Sequence, residues 1–187
     1  MEKLFLTGKP GIGKTTVLLE IIENLKNNGY QCGGMISKEF RSKNTRVGFQ
    51  IINLQTGEKG WLAHVSQPIG PKVGKYRVNV QDLIRVGVKA IEEAIMNPSI
   101  KVIAIDEIGP MELFCKEFKD FVKKAILSKK FVIGTIHYKA SDQLIRSIKS
   151  NPLIKIVDVT FENRNFIGKS LTNEIIEHLK KLNFKLF

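Results

Sequence analysis

Short apolar runs alternate along the chain with segments in which apolar residues recur every three to four positions. Four of the runs predict buried strands: LFLT (4–7), KVIAID (101–106), FVIGTIH (131–137) and IKIVDVT (154–160). The periodic segments predict helices that end at Asn28-Gly29, span about 79–97 and 117–127, start near residue 141, and span about 169–182. This alternation predicts an α/β fold whose mostly parallel sheet carries helices on both faces.

The segment 32–78 has a different pattern. CGGMISKEF (32–40) and RVGFQIINL (46–54) are typical of strands joined by a turn, and GEKGWLA and GKYRV continue in the same style. We therefore predict a β-rich hairpin insertion after the first helix, within one domain that covers residues 1–187. Trp61, the only tryptophan, is expected to make core or insertion contacts rather than to stack on a nucleotide base.

Composition narrows the class of protein. The 187 residues are 43% hydrophobic with a mean hydropathy of -0.06, which suits a globular chain with its own core. No apolar run reaches membrane-spanning length, and the N-terminal residues do not resemble a secretory signal. We expect a cytoplasmic protein with no membrane partner, as a monomer or weak oligomer. Cys32 and Cys115 have no metal-type spacing and are expected to be buried or half-buried thiols.

The net charge of +12 and the pI near 9.7 raise the question of nucleic acid as a partner. The basic residues are scattered, however, and pairs such as Lys123-Lys124 and Lys180-Lys181 fit solvated helix faces without any ligand. Nucleic acid therefore stays a weakly supported partner.

The stretch TGKPGIGKTT (7–16) points to a phosphate. Gly8, Gly13, Lys14 and Thr15 match the Walker A spacing between a predicted strand and a predicted helix. Glycines let the backbone N–H groups form an anion-binding nest, and the N terminus of the helix favours negative charge. Lys14 can reach the β- and γ-phosphates of a nucleotide, and the Thr15 hydroxyl can bind Mg²⁺.

A second motif, IDEIGPMEL (105–113), follows the strand at 102–105. Asp106 stands at the strand end, which is the Walker B position for holding Mg²⁺ opposite Thr15. Glu107 is a second carboxylate that could orient a water molecule and accept its proton, or could simply favour the start of the next helix. DEIG also matches the D-x-x-G of GTP switches, but the N-K-x-D motif of those proteins is absent from the sequence, which argues against a switch.

With these motifs in order, the chain resembles the THEP-type nucleoside-triphosphatases, also called cancer-related nucleoside-triphosphatases. The resemblance rests on TGKPGIGKTT, GGMISKEFRSKNTRVGFQIINL, VGKY, IDEIGPMEL, GTIH and FENRN. It departs from the family at Lys9, where proline is common, and at Met35-Ile36-Ser37. The resemblance implies a three-layer, RecA-like P-loop fold and slow, Mg²⁺-dependent hydrolysis of several nucleoside triphosphates (NTPs).

Carried over by position, the resemblance implies two nucleotide-contacting segments. They are Gly8, Lys9, Pro10, Gly11, Ile12, Gly13, Lys14, Thr15 and Thr16, and Val102, Ile103, Ala104, Ile105, Asp106, Glu107, Ile108 and Gly109. Glu107 and Lys14 are the catalytic candidates, and Thr15 and Asp106 are the metal ligands.

Other candidates are supported by their positions alone. Arg41 and Arg46 could bring a cation to the γ-phosphate, although surface arginines beside a hairpin turn explain them equally well. Thr135 and His137 end the strand after Walker B, where related ATPases place a polar γ-phosphate sensor. Asn163 and Arg164 could border the base or the ribose; they also suit an ordinary turn.

Three classes of function remain open after this reading. An NTP hydrolase leads, because a carboxylate follows the Walker B aspartate. A nucleotide or small-molecule kinase is the first alternative, with Arg41, Arg46 and Arg77 as a phosphate-clamping lid, although a water-activating glutamate is a liability for a kinase. A nucleic-acid-coupled RecA-like ATPase is the second alternative.

Overall fold

The computed structural model describes residues 3–184. The strands are β1 (Lys3–Thr7), β2 (Gln31–Ser42), β3 (Thr45–Asn53), β4 (Lys59–His64), β5 (Lys72–Val73), β6 (Tyr76–Val78), β7 (Ile100–Ile108), β8 (Phe131–Ile136) and β9 (Ile154–Asp158). The helices are α1 (Lys14–Asn27), α2 (Val80–Asp82), α3 (Lys89–Met96), α4 (Lys116–Leu127), α5 (Gln143–Ser150) and α6 (Ile167–Phe184). No helix within this range is long and apolar enough to cross a bilayer.

These strands form one mixed sheet. Its order is β5-β6-β4-β3-β2-β7-β8-β1-β9. The half from β2 to β9 is parallel, whereas the half from β5 to β2 is antiparallel. The antiparallel half comes from the β-rich segment predicted over 32–78, which continues the main sheet. β8 lies between β1, which leads into the glycine-rich loop, and β7, which carries the DEIG sequence.

Two hydrophobic cores lie on opposite faces of the sheet. Along β1, Leu4 and Leu6 face one core and Phe5 faces the other, because successive side chains of a strand point to opposite faces. The Leu4 side packs under α1 and α6, and the Phe5 side packs under α3, α4 and α5. All three side chains are fully buried. Helices on both faces confirm the predicted layered α/β architecture.

The helix predicted over 79–97 departs from regular geometry in its middle. Asn79 caps it, since its side chain accepts a hydrogen bond from the Asp82 N–H at 3.1 Å. Between α2 and α3, residues Leu83–Val88 form a π-helical turn. Regular spacing predicts that Ile84 faces the core, but the wider turn changes the phase: Leu83 is fully buried and Ile84 is 38% exposed.

The antiparallel half has its own aromatic cluster. The Trp61 ring meets Phe40 and His64 edge-on, with centroid distances of 5.1 and 4.8 Å. Phe49 and Tyr76 form a further edge-on pair at 5.3 Å. Trp61 therefore makes insertion contacts, as expected from the sequence.

Both cysteines are buried and unbridged. Cys32 lies in β2, where burial raises the pKa of its thiol to about 11. The sulfur of Cys115 accepts a hydrogen bond from the Phe118 N–H at 3.4 Å and so caps α4. The burial of both thiols agrees with the expectation from the sequence.

Candidate active site

A glycine-rich loop joins β1 to α1. Gly8, Gly11 and Gly13 have positive φ angles of 138°, 75° and 112°, a region that favours glycine. A Cβ atom at Gly8 would lie 2.6 Å from the carbonyl oxygen of Val159, so a larger residue does not fit there. The loop leads straight into the first turn of α1 at Lys14. This is the kind of backbone and helix end that binds an anion.

Lys14 closes this loop from inside. Its side chain is 7% exposed, and Nζ donates to the carbonyl oxygen of Gly8 over 3.4 Å. A bond of that length is weak and leaves the ammonium free to turn toward a phosphate. The other loop residues divide by burial: Ile12 packs into the core, whereas Lys9, Pro10, Gly11 and Thr16 are exposed.

Asp106 is the point where four elements meet. It is fully buried near the end of β7, and its carboxylate accepts hydrogen bonds from Thr15 at 3.0 and 3.2 Å, Thr135 at 2.6 Å and Ser37 at 3.3 Å. Burial raises the pKa of Asp106, and these hydroxyls oppose the rise. The cluster consists of hard oxygen donors, the ligands that Mg²⁺ prefers.

Sequence reasoning brought Thr15 and Asp106 together and placed Thr135 at the neighbouring strand end, but it gave Ser37 no role. Ser37 lies on β2, the parallel neighbour of β7. In the sequence, Ser37 could have been noticed as a serine directly after the apolar run of β2. Only the strand order shows which carboxylate it reaches.

Glu107 stands beside Asp106 with an unsatisfied carboxylate. Its Oε1 atom is buried and has no hydrogen-bond partner in the part of the chain described. Burial raises the pKa of Glu107 to about 7, the Lys14 charge opposes the rise, and Asp106 adds to it. A carboxylate of this kind, close to a cation that can bind phosphate, is poised to accept a proton near neutral pH.

The remainder of the second predicted nucleotide segment is mostly core. Val102, Ile103, Ala104, Ile105 and Ile108 are fully buried, and their side chains pack into the two cores. They fix the position of the strand end. Only the residues at that end present polar groups to the loop.

Glu112 is a third acidic group that sequence reasoning missed. It follows β7 in a short 3₁₀ turn, is 4% exposed, and its Oε2 accepts a hydrogen bond from the Gly109 N–H at 3.2 Å. Burial raises the pKa of Glu112 to about 8, and the charges of Glu107 and Asp106 add to the rise. In the sequence, Glu112 could have been noticed as an acidic residue within the apolar stretch MELF.

We predict that Glu112→Gln makes the stability of the nucleotide-free protein less sensitive to a rise in pH from about 5 to about 8. The pKa of Glu112 rises from 4.5 to about 8 on folding, so the native state binds more protons than the unfolded state between these values. The parent protein therefore loses stability relative to the variant as pH rises from about 5 to about 8, with a limiting slope of about 1.4 kcal/mol per pH unit. Thermal unfolding across this range measures the difference.

Glu92→Gln, at an exposed position on α3, is the matched control and should keep the pH dependence of the parent. Parallel curves for the parent and Glu112→Gln would contradict the assignment of a raised pKa to Glu112.

His137 directly follows β8 at the same edge of the sheet. Its backbone N–H donates to the Ile108 carbonyl oxygen at 3.1 Å, and its Nδ1 accepts from the Lys139 N–H at 3.3 Å. Partial burial lowers the pKa of His137, and the charges of Lys14 and Lys149 lower it further. The imidazole is therefore neutral at physiological pH and lies within the electrostatic reach of Lys14.

Asn163 and Arg164 lie on the far side of the loop, after β9. Asn163 shapes a turn, accepting from the Thr160 N–H and donating to the Asp158 carbonyl oxygen. The Arg164 guanidinium donates to the Ile12 carbonyl oxygen at 3.4 Å. Arg164 therefore borders the loop directly, and Asn163 supports the turn that places it.

A cavity of about 240 Å³, here named the base cavity, opens beside these residues. Its lining residues are Lys9, Ile12, Tyr138, Asp158, Val159, Thr160, Phe161 and Glu162. Phe161 is 67% exposed, and its ring also lies under the Arg164 guanidinium at 4.9 Å. Two aromatic side chains beside a phosphate loop suit a stacked base. No sequence pattern predicts that Tyr138 and Phe161 line one cavity.

Arg41 and Arg46 lie at the tip of the β2–β3 hairpin, and both pair with Glu39. Arg41 Nε contacts Glu39 Oε1 at 2.5 Å, and Arg46 donates to Glu39 Oε2 at 3.0 Å and to the Tyr76 hydroxyl at 2.9 Å. Within residues 3–184, no polar contact joins either guanidinium to the glycine-rich loop or to Glu107. Their role toward the γ-phosphate stays a prediction that requires movement of the hairpin.

Comparison with known proteins places this arrangement in a family. The family described as NTPase matches residues 3–176. The nucleoside-triphosphatase THEP1 of Thermofilum pendens is 43% identical over 175 residues, which cover 93% of this chain and 95% of the relative. THEP1 of Methanocaldococcus jannaschii is 40% identical over 178 residues, covering 95% and 99% of the two chains.

Solved structures agree with the sequence matches. The crystal structure of THEP1 from the hyperthermophile Aquifex aeolicus has a TM-score of 0.79 and 34% identity, covering 90% of this chain and 96% of the other. The solution structure of a human cancer-related nucleoside triphosphatase has a TM-score of 0.79 and 30% identity, covering 94% and 97%. The resemblance in sequence and the P-loop fold are confirmed: this chain belongs to the NTPase family, together with the THEP1 nucleoside-triphosphatases.

Proposed function

We propose that the protein hydrolyses nucleoside triphosphates, with Mg²⁺, to the diphosphate and phosphate, and that Glu107 accepts the proton of the attacking water. The observation that carries this proposal is the buried Glu107 Oε1 atom, which lies beside Asp106, is subject to the Lys14 charge and has no hydrogen-bond partner among the described residues. A raised pKa suits a group that must accept a proton at neutral pH and release it afterwards.

The phosphates would occupy the glycine-rich loop. Lys14 would exchange its weak bond to Gly8 for a contact with the β- and γ-phosphates, and loop N–H groups would hold the remaining oxygens. Thr15 and Asp106 fit Mg²⁺ because their oxygens already lie about 3 Å apart in a buried, anionic setting. When bound there, Mg²⁺ neutralises charge on the phosphates. Thr135 and Ser37 keep the Asp106 carboxylate oriented.

The residues divide the chemical step between them. Glu107 would orient a water molecule toward the γ-phosphorus and take its proton as the new P–O bond forms. The bond between the γ-phosphorus and the β–γ bridging oxygen then breaks, and Lys14 stabilises the charge that develops. Loss of the proton from Glu107 would restore the site.

We further propose broad base specificity and slow turnover. Tyr138 and Phe161 line the base cavity, and stacking of a base on aromatic side chains tolerates every base. Slow turnover is what the family resemblance implies, and Arg41 and Arg46 pair with Glu39 in this structure. A cytoplasmic location and a monomeric or weakly oligomeric state stay predictions from the sequence.

Phosphate release tests the proposal. Purified protein is incubated with Mg²⁺ and ATP, GTP, CTP or UTP in turn, with and without single-stranded DNA. The proposal expects phosphate from each NTP and no requirement for DNA. Turnover only with DNA would favour the nucleic-acid-coupled alternative, and no turnover in either condition would contradict both.

Asp106→Asn should raise the Mg²⁺ requirement. The change keeps the shape of the side chain but removes the charge that would hold the metal, so half-maximal turnover should need about tenfold more Mg²⁺ or greater. Turnover measured across a Mg²⁺ titration gives this shift. Asp120→Asn on α4, away from the site, is the control. An unchanged Mg²⁺ requirement in Asp106→Asn would show that Asp106 does not serve the metal.

Arg46→Ala and Arg41→Ala should lower kcat more than they raise KM. If either guanidinium reaches the γ-phosphate when the hairpin moves, its contact matters chiefly in the transition state. Steady-state kinetics separate the two constants, and Arg146→Ala, at an exposed position on α5, is the matched control. If both hairpin variants kept the kcat of the parent, Arg41 and Arg46 would be surface residues with no role in turnover.

A further inference from the structure

A second cavity, here named the side cavity, has a volume of about 210 Å³ and includes Glu107 in its wall. Phe49 of β3, Leu62 of β4 and Val73 of β5 form its apolar side together with Met111, which follows β7. No residue of the glycine-rich loop lines it. The hairpin insertion and the segment after Walker B therefore line this cavity together.

The side cavity and the base cavity lie on opposite sides of the loop. The base cavity lies at the end of β9, on one side of β1. The apolar side of the side cavity comes from β3, β4 and β5, which lie on the other side of β1, beyond β8, β7 and β2 in the sheet order. Two wall residues, Glu107 and His137, come from β7 and from the end of β8, the two strands that lie between β1 and β2 in the sheet order. A nucleotide with its base beside β9 would point its γ-phosphate toward the side cavity.

The size and lining of the side cavity exceed what an attacking water needs. One water molecule takes a share of about 30 Å³ and binds best where polar groups surround it, whereas an apolar cavity of about 150 Å³ holds a benzene molecule. A cavity of about 210 Å³ with an apolar side therefore suits an organic molecule of slightly more than benzene size.

The polar end of the side cavity selects among such molecules. Ser37, Glu107, Glu112 and His137 form this polar end, and the buried Glu107 Oε1 atom, which has no partner among the described residues, is a hydrogen-bond acceptor there. No Lys or Arg among the described residues lines the cavity, although the chain contains 30 of them. An anionic acceptor such as a nucleoside monophosphate would find no cation in this lining to neutralise its charge. A neutral hydroxyl compound would bury its apolar body and donate its O–H to a carboxylate.

We propose that the side cavity binds a neutral alcohol with a compact apolar body as a phosphoryl acceptor, so that the protein transfers the γ-phosphoryl group as well as hydrolysing NTP. The proposal rests on the proposed function, since it uses the same nucleotide and the same Glu107. The alcohol oxygen forms the new bond to the γ-phosphorus, the bond to the β–γ bridging oxygen breaks, and the hydroxyl proton passes to Glu107. The products are a phosphate monoester and the nucleoside diphosphate.

The glutamate after Walker B, Glu107, would serve both reactions. A base at this point accepts a proton from water or from an alcohol alike. Hydrolysis would be the reaction of an empty side cavity, in which water takes the place of the acceptor.

Product analysis with small alcohols tests the proposal. Benzyl alcohol, 2-phenylethanol and cyclohexylmethanol are each titrated into protein with Mg²⁺ and ATP, and ³¹P NMR quantifies ADP, phosphate and phosphate monoester. We expect a monoester whose share of the product saturates with at least one of the alcohols. Benzoate, an anion of similar size, should not compete with the alcohol.

A variant that fills the side cavity tests whether the alcohol binds there. Val73→Trp replaces an isopropyl group in the lining by an indole ring and should lower the monoester-to-phosphate ratio at least tenfold at a fixed alcohol concentration. Val65→Trp makes the same change in the insertion at a residue outside the lining and should keep the parent ratio. The ratio is independent of the amount of active protein.

Three other outcomes are possible, and each would overturn either the acceptor site or the proposed function. ADP and phosphate with no monoester from any of the three alcohols would overturn the acceptor site and leave hydrolysis standing. A monoester whose ratio is unchanged in Val73→Trp would show that transfer occurs outside the side cavity, which also overturns it. An absence of ADP formation in every sample would instead overturn the proposed function.

Discussion

Lys14→Ala should abolish NTP turnover and weaken nucleotide binding together. The Lys14 ammonium is buried against the loop, where it would offset the charge of the β- and γ-phosphates in both the ground state and the transition state. Its loss should lower kcat/KM by about 10³-fold or more, the scale of losing a charge that stabilises the transition state. Nucleotide affinity by calorimetry and phosphate release on the same samples measure both effects.

Lys26→Ala is the control for this change, because it removes a lysine from the exposed end of the same helix. It should bind and turn over NTP like the parent. Turnover of Lys14→Ala within about threefold of the parent would mean that the loop has the sequence and shape of a phosphate site but that Lys14 has no role in catalysis.

Glu107→Gln should bind NTP normally and turn it over slowly. Glutamine keeps the size of the side chain and leaves Thr15 and Asp106 in place, but it cannot accept the proton of the attacking water. Turnover should fall by about 10²-fold or more, the contribution expected of a general base. Steady-state phosphate release with a parallel binding titration would show a protein that traps NTP with Mg²⁺.

Glu117→Gln tests whether the loss of any nearby carboxylate has the same effect. Glu117 lies in the first turn of α4 and is exposed, so its replacement should leave turnover at the parent rate. If Glu117→Gln and Glu107→Gln lost activity equally, a general effect of charge would replace the specific role of Glu107.

The order of strands and helices could be predicted because each has a strong local signal. Apolar runs mark the strands of the parallel half, and Asn79 marks a helix start through a cap that its neighbours in sequence complete. Ile84 shows where such signals fail. Its spacing suits a regular helix, but a π-helical turn shifts the phase, and that turn depends on packing against other elements.

Site residues that belong to a sequence motif could be predicted. Site residues that come together only through the order of the strands in the sheet could not. Thr15 and Asp106 meet as the Walker spacing predicts. Ser37 and Glu112 reach the same edge from a neighbouring strand and a buried turn, and no local pattern records either position. The two cavities likewise combine residues distant in sequence, so they become visible only once the strand order is known.

Single-turnover cleavage of bound NTP tests the central claim most directly, because it measures the chemical step without product release. The parent and Glu107→Gln are loaded with equal amounts of radiolabelled ATP and saturating Mg²⁺, and the fraction cleaved is followed over time. Glu107 as the general base predicts cleavage in the parent and a rate at least about 10²-fold lower in the variant, with intact ATP still bound. Cleavage at the parent rate in Glu107→Gln would contradict the claim.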